Sequence, residues 1–219
     1  MATRESVLAW IESNNCYLNY ADTYANRMKT MKLAFLSDGI YRQRHGKNLF
    51  DSKFSAWKDG PVDNAMYAKH IHHDYSRDDM NILNEEELSV LKQVNDIYGI
   101  FSGYALSQLT HTFDSWLEMV DDDMIPFEKQ IMMNSETIAK DFQVVEKNLN
   151  LFNDYSLDYS IQIINDVTLL IPKNEKELYD KYIQDNYSRV VEISEELKDN
   201  GDFLLFLNVD SDGEFTYAL

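Results

Sequence analysis

One cysteine, Cys16, is all the sequence holds. No internal disulfide can form, an all-cysteine metal site is excluded, and a reducing compartment fits. Positive charge is also scarce: 20 Lys and Arg stand against 38 Asp and Glu, a formal net charge of -18 and a pI near 4.5. Nucleic acid is steered by positive fields, so a nucleic-acid binder is disfavoured, whereas solubility or a basic partner is favoured. No stretch approaches the roughly 18 apolar residues of a membrane span. The opening run MATRESVLAWIESNN sets Arg4, Glu5 and Glu12 around a short apolar run and lacks a signal-peptide core. A cytoplasmic protein with no membrane partner is expected. Phosphate-binding loops, dinucleotide fingerprints, H-E-x-x-H zinc motifs, internal repeats and sustained heptads are all missing, and no cofactor or metal is expected.

What is present is a chain of 219 residues, 44% hydrophobic and 13% aromatic, enough to bury a substantial core. Val7, Leu8 and Ile11 predict a helix over 3–13, with Thr3 or Ser6 as cap. Met28, Met31, Leu33, Phe35, Leu36 and Ile40 predict a central core helix over 23–44, stopped at Gly46. Leu49 to Trp57 reads as a short extended segment before the Gly60-Pro61 turn. Residues 84–98 predict a helix capped by Asn84, closed by Glu87 in a capping box, and buried along Leu88, Leu91, Val94 and Tyr98. Gly99 ends it, and Ser102 caps a further helix with Tyr104, Leu106, Leu109 and Phe113 on its apolar face. A last helix of this region is expected over 135–149, through Ile138, Phe142, Val145 and Leu149.

Beyond residue 150 the character changes. Val167 to Ile171 reads as a strand, 174–199 as helix, and Phe203–Val209 with Glu214–Ala218 as a hairpin about the turn Asp210-Ser211-Asp212-Gly213. The fold class expected is mainly α: a helical core over 5–147 and a strand, helix and hairpin appendage over 150–219, packed on that core. The appendage can complete the fold, pair a strand with a partner, or mediate a homodimer.

Chemistry-bearing clusters are few. His70-Ile71-His72-His73 with Asp74 lies in a polar stretch without strand character, so a solvated loop explains it better than a metal site. Thr110-His111 with Asp114 can set an imidazole beside a carboxylate, but no nucleophile accompanies them, and a structural histidine is the better reading. Asp210 to Gly213 opens like a calcium loop yet lacks the downstream bidentate Glu.

Two blocks carry a resemblance. The first, "MKLAFLSDGIYRQRHGKNLFDSKFSAWKDGPVDNAMY", holds Lys32, Leu33, Gly46, Leu49, Phe50, Ala56, Trp57, Gly60, Pro61, Val62 and Tyr67. The second holds Tyr98 and Gly99, then Ser102, Gly103, Leu106, Ser107, Leu109, Thr110, His111 and Trp116. Together they resemble the Panacea domain of SocA-like and GepA-like antitoxins, over about residues 5–147. Ser37 and Asp38 replace an aromatic-rich helix end, and Asp114-Ser115 a Gly-Pro. Such a resemblance implies a mostly helical domain that binds and neutralises a protein toxin encoded beside it, in some members as an adaptor to a host protease. It implies no enzymatic activity.

Read physically, the signature is architecture: Trp57, Gly60, Pro61, Val62, Leu109, Thr110, His111 and Trp116 build a corner rather than an active site. Partner-facing candidates are Asp59, Asp63, Tyr67 and the run Asp121, Asp122 and Asp123, set against a basic toxin surface. Two other readings stand beside this one. One is a phage or mobile-element inhibitor whose carboxylates imitate a phosphate track before a host nucleic-acid enzyme; the other is an enzyme using His111 and Asp114.

Overall fold

Thr23 starts the central element. In the computed structural model, which describes residues 1–16, 18, 23–120, 129–155, 159–164, 167–199, 204–209 and 215–218, its hydroxyl caps helix α2, Tyr24–His45. Gly46 stops α2 in the left-handed region at φ 69, where a side chain is strained. Ahead of it runs α1, Arg4–Asn14, opened by a capping box between Thr3 and Ser6. After it come strand β1, Phe54–Trp57, strand β2, Gly60–Asp63, and α3, Asn64–His72. A 3₁₀ turn, Arg77–Ile82, leads to α4, Glu85–Tyr98; α5, Gly103–His111; the short α6, Asp114–Leu117; and α7, Glu136–Tyr155. The chain divides into two compact units, Met1–Leu149 and Asn150–Leu219.

The first unit is organised around α2, buried from Lys29 to Tyr41. Phe35 sits at its centre, edge-on to Phe54 at 5.0 Å and to Phe142 of α7 at 5.4 Å. A Cβ on Gly39 would lie 2.0 Å from the Phe142 ring, so that glycine lets the ring approach the helix. Gly103 does the same for α5, where a Cβ would meet the Ala25 carbonyl at 2.4 Å. This close approach corrects the α5 face expected from hydrophobicity. Ala105, Leu106, Ser107 and Thr110 are buried, while Tyr104 is exposed and Leu109 half-buried, because a small-residue face lets two helices come together. In α4 the cap and capping box of Asn84 and Glu87 form as expected, but the buried stripe runs through Val90, Leu91, Val94, Ile97 and Tyr98, with Leu88 half-buried.

Asp38, buried inside α2, fastens the loop after it. Its carboxylate accepts from the Leu49 N–H and the Ser52 hydroxyl, both at 2.7 Å. Burial nevertheless pushes its carboxyl up to about 6, with those hydrogen bonds opposing.

The second unit is richer in strands than expected. Strands β3, Tyr159–Ile164; β4, Val167–Pro172; β5, Leu204–Val209; and β6, Phe215–Ala218 form one sheet in that order. β3–β4 and β5–β6 are antiparallel; β4–β5 is parallel, so the chain between them is a crossover. The crossover is helical, but it is two helices, α8, Lys176–Asp185, and α9, Tyr187–Asp199, rather than one. Asn186 breaks them: its N–H ends α8 on the Tyr182 carbonyl and its carbonyl accepts from Val190 of α9. Leu169 and Ile171 of β4 pack with Tyr179, Ile183, Val190 and Ile193. The Asp210 to Gly213 turn lies outside the described residues.

The fold is mainly helical, as the periodicity and the resemblance implied. No helix among the described residues is long and apolar enough to cross a membrane.

Candidate partner-binding site

β1 and β2 form a hairpin in which Phe54 pairs with Asp63 and Trp57 with Gly60, leaving Lys58 and Asp59 as the turn. Gly60 has φ 94, and a Cβ there would stand 2.4 Å from the Thr110 hydroxyl and 2.8 Å from Lys32 Cε. Only glycine fits, for backbone and for space. Side chains from the helices donate to backbone carbonyls at the tip. Trp116 Nε1 donates to the Trp57 carbonyl at 3.1 Å, Ser107 to Asp59 at 3.0 Å, and Lys32 Nζ to Pro61 at 3.1 Å. His111 hydrogen-bonds the Lys58 backbone. Lys32, Ser107, His111 and Trp116 thus form a clamp on one turn.

His111 stacks on Trp116 with centroids 4.0 Å apart, and its Nε2 is buried without a hydrogen-bond partner. Burial first, then the Lys32 charge, holds its pKa below the usual histidine range, so the ring is neutral at neutral pH. Asp114 opens α6 instead of orienting the imidazole. The backbone N–H groups of Asp114 and Ser115 both donate to the Asp141 carboxylate at 3.0 Å, which ties α6 to α7.

The hairpin's two aspartates have opposite surroundings. Asp63 is fully buried: it accepts from Arg4 Nε at 2.9 Å and Nη2 at 3.1 Å, from Lys53 N–H at 2.7 Å, and from Met66 N–H at 2.8 Å as the cap of α3. Its carboxylate is saturated by its own chain, which corrects its reading as a partner-facing group. Asp59, at the tip, is half-buried and accepts from the Tyr24 hydroxyl at the start of α2. That hydrogen bond, with burial second, pushes the Tyr24 phenol up to about 12. Tyr67 of α3 meets Trp57 edge to face at 5.4 Å. Asp121, Asp122 and Asp123 lie outside the described residues.

Between these groups is a pocket of about 280 Å³, lined by Tyr24, Met28, Met31, Lys32, Trp57, Lys58, Asp59, Val62 and Tyr67. Lys32 is wholly buried, and desolvation drives its ammonium down to about 7. Asp59 and Tyr67, named from the sequence, therefore share one surface feature, and Trp57, Gly60, Pro61, Val62, Thr110, His111 and Trp116 hold it in place. Sequence reasoning missed Tyr24, Met28 and the turn-binding role of Lys32. The available signal was a lysine inside the apolar run Met31 to Leu36, where burial demands a partner.

The histidine cluster is helical rather than looped. α3 runs through His72, and His73 ends it in the left-handed region at φ 51. His70 is buried, with Nε2 2.6 Å from Glu12 Oε1, and Tyr75 donates to the other Glu12 oxygen at 2.7 Å. That set fastens α3 to α1. Among the described residues no group of three or more His, Cys, Asp or Glu is placed to hold a metal.

With this geometry in hand, comparison supports the family resemblance. The family model described as Antitoxin SocA-like, Panacea domain matches residues 30–117, a stretch that begins in α2 and ends in α6. It contains the hairpin, the clamp and all pocket-lining residues except Tyr24 and Met28. No curated protein and no solved structure matches the chain.

Proposed function

We propose that this chain is an antitoxin-type binding protein that neutralises a cognate protein toxin by direct contact, without chemistry of its own. The family match over residues 30–117 carries the reading. The hairpin supports it: a rigidly clamped turn presenting Asp59, Trp57 and Tyr67 is the kind of pre-ordered surface that loses little entropy on docking. The net charge of -18 favours a basic toxin. Delivery of the toxin to a host protease is a further step that members of the family type can add, and the C-terminal sheet unit is the segment outside the match that could serve it or a homodimer.

The test is co-expression of the neighbouring reading frame with and without this chain. Rescue of growth, with a stable complex on co-purification, is the expected result. Association should slow as ionic strength rises, since the Debye length shrinks from about 10 Å at 0.1 M salt to about 3 Å at 1 M. A harmless neighbour, or toxicity that persists beside well-folded chain, would sink the reading.

A further inference from the structure

The hairpin pocket has a composition that selects its guest. Three aromatic rings, Tyr24, Trp57 and Tyr67, and two thioethers, Met28 and Met31, line it, and its half-buried carboxylate is Asp59, held by the Tyr24 hydroxyl. Aromatic faces attract cations within about 6 Å of a ring centroid, and a carboxylate beside them completes the field. The pocket is small, about 280 Å³. That is room for the end of one side chain, and it lies below the ~300–1,000 Å³ of sites for drug-sized ligands.

An apolar guest would strip water from Asp59 and return no hydrogen bond, and an anion would meet that carboxylate at close range. The two lysines of the lining oppose a cation weakly. Lys58 is exposed, while Lys32 is engaged with the Pro61 carbonyl and burial favours its neutral form. Beyond the pocket the whole chain, at -18, draws cations toward it.

We propose that the pocket at the hairpin tip is a socket for one basic side chain, a guanidinium or an ammonium, presented by the protein partner. The proposal rests on the toxin-binding reading only for who brings that side chain; the chemistry of the socket stands on the pocket itself.

Two arms test it separately. In the first, the full chain is titrated with N-acetyl-arginine methylamide and with its uncharged citrulline counterpart, following the Trp57 indole N–H by NMR. The arginine probe should shift that signal and bind at least about tenfold more tightly than the citrulline probe, and Asp59→Asn or Trp57→Leu should remove the difference. Asp59→Asn keeps an acceptor for Tyr24, so the turn stays built, which an unchanged spectrum elsewhere verifies. Equal binding of the two probes, no binding at all, or full preference in Asp59→Asn overturns the socket.

The second arm uses the co-purified complex. Asp59→Asn should weaken it at least about tenfold. A complex of undiminished affinity overturns the socket while leaving the antitoxin reading intact. If the neighbouring product proves harmless, that reading falls and the probe arm alone decides the socket.

Discussion

The foot and the tip of one hairpin carry the same residue in opposite roles. Asp63 at the foot is fully buried and accepts four hydrogen bonds from its own chain; Asp59 at the tip is half-buried and accepts from a tyrosine that is itself half exposed. The same carboxylate is architecture at the foot and a pocket-lining group at the tip. What differs is whether neighbouring N–H groups point at it. At the foot the β2-to-α3 transition supplies free helix N–H groups and α1 brings Arg4, whereas at the tip the surrounding donors are occupied with backbone carbonyls.

Removing each carboxylate should break this comparison most sharply. Asp63→Ala leaves Arg4, which is mostly buried, without its bidentate partner and uncaps α3, so urea unfolding should register a loss of about 3–5 kcal/mol. Asp59→Asn should stay within about 1 kcal/mol of the parent. Equal losses at the two positions would show that the tip is held by its aspartate rather than by the carbonyl clamp.

The two left-handed glycines sharpen the same contrast. Gly60→Ala brings a methyl to 2.4 Å from Thr110 and 2.8 Å from Lys32 in addition to the strain of φ 94, and should cost about 2–4 kcal/mol. Gly46→Ala has no atom within 4 Å of the new methyl and should cost only the strain, about 1–2 kcal/mol. Thermal or urea unfolding of the pair separates conformational strain from lost space.

Much of the first unit was legible because its signals are local. Thr3, Asn84 and Ser102 cap the helices they were expected to cap, and Gly46 stops α2, since capping depends on a residue and its next few N–H groups. Misread features depend on partners distant in sequence. The buried face of α5 follows from the close approach of α2 at Gly103, which hydrophobic spacing does not report. Asp63 looked like a surface acid because Arg4 lies 59 residues away. The pocket was half visible: Trp57, Asp59 and Tyr67 are near neighbours in the chain, while Tyr24 and Met28 come from the first turns of α2. In the second unit the β5–β6 hairpin forms as expected, while strand β3 and the parallel pairing of β4 with β5 went unread, because both depend on which strands meet across the sheet.

Two buried charges on α2 extend the comparison to pH. Asp38 has its pKa raised to about 6 from an ordinary 3.8, so the folded chain binds the extra proton between those values, and its contribution to stability is lost as pH rises through that window. Lys32 is lowered to about 7 from 10.5, so the unfolded chain binds the extra proton, and its contribution grows as pH rises from about 7 toward 10.5. Against the parent, Asp38→Asn should flatten the acid limb by up to about 3 kcal/mol and Lys32→Met the alkaline limb by up to about 5 kcal/mol, in denaturant midpoints converted to free energy. A Lys32→Met profile parallel to the parent's above pH 7 would mean that the ammonium is solvated rather than buried against Pro61.

The smallest effect belongs to Tyr24→Phe. Tyr24 is 52% exposed, and its loss removes one hydrogen bond at the rim while leaving every carbonyl of the turn clamped, so stability should change by less than about 1 kcal/mol. Its titration is the sharper readout. Because the bond to Asp59 holds the phenol up to about 12, an alkaline absorbance titration of the parent should contain one late tyrosine that the variant lacks, and Asp59→Ala should return that phenol toward 10. A Tyr24 phenol that already titrates near 10 in the parent would mean that the aspartate at the tip stands apart from it. The rim of the pocket would then be open in the free chain, and its carboxylate would meet a guest without first giving up a tyrosine.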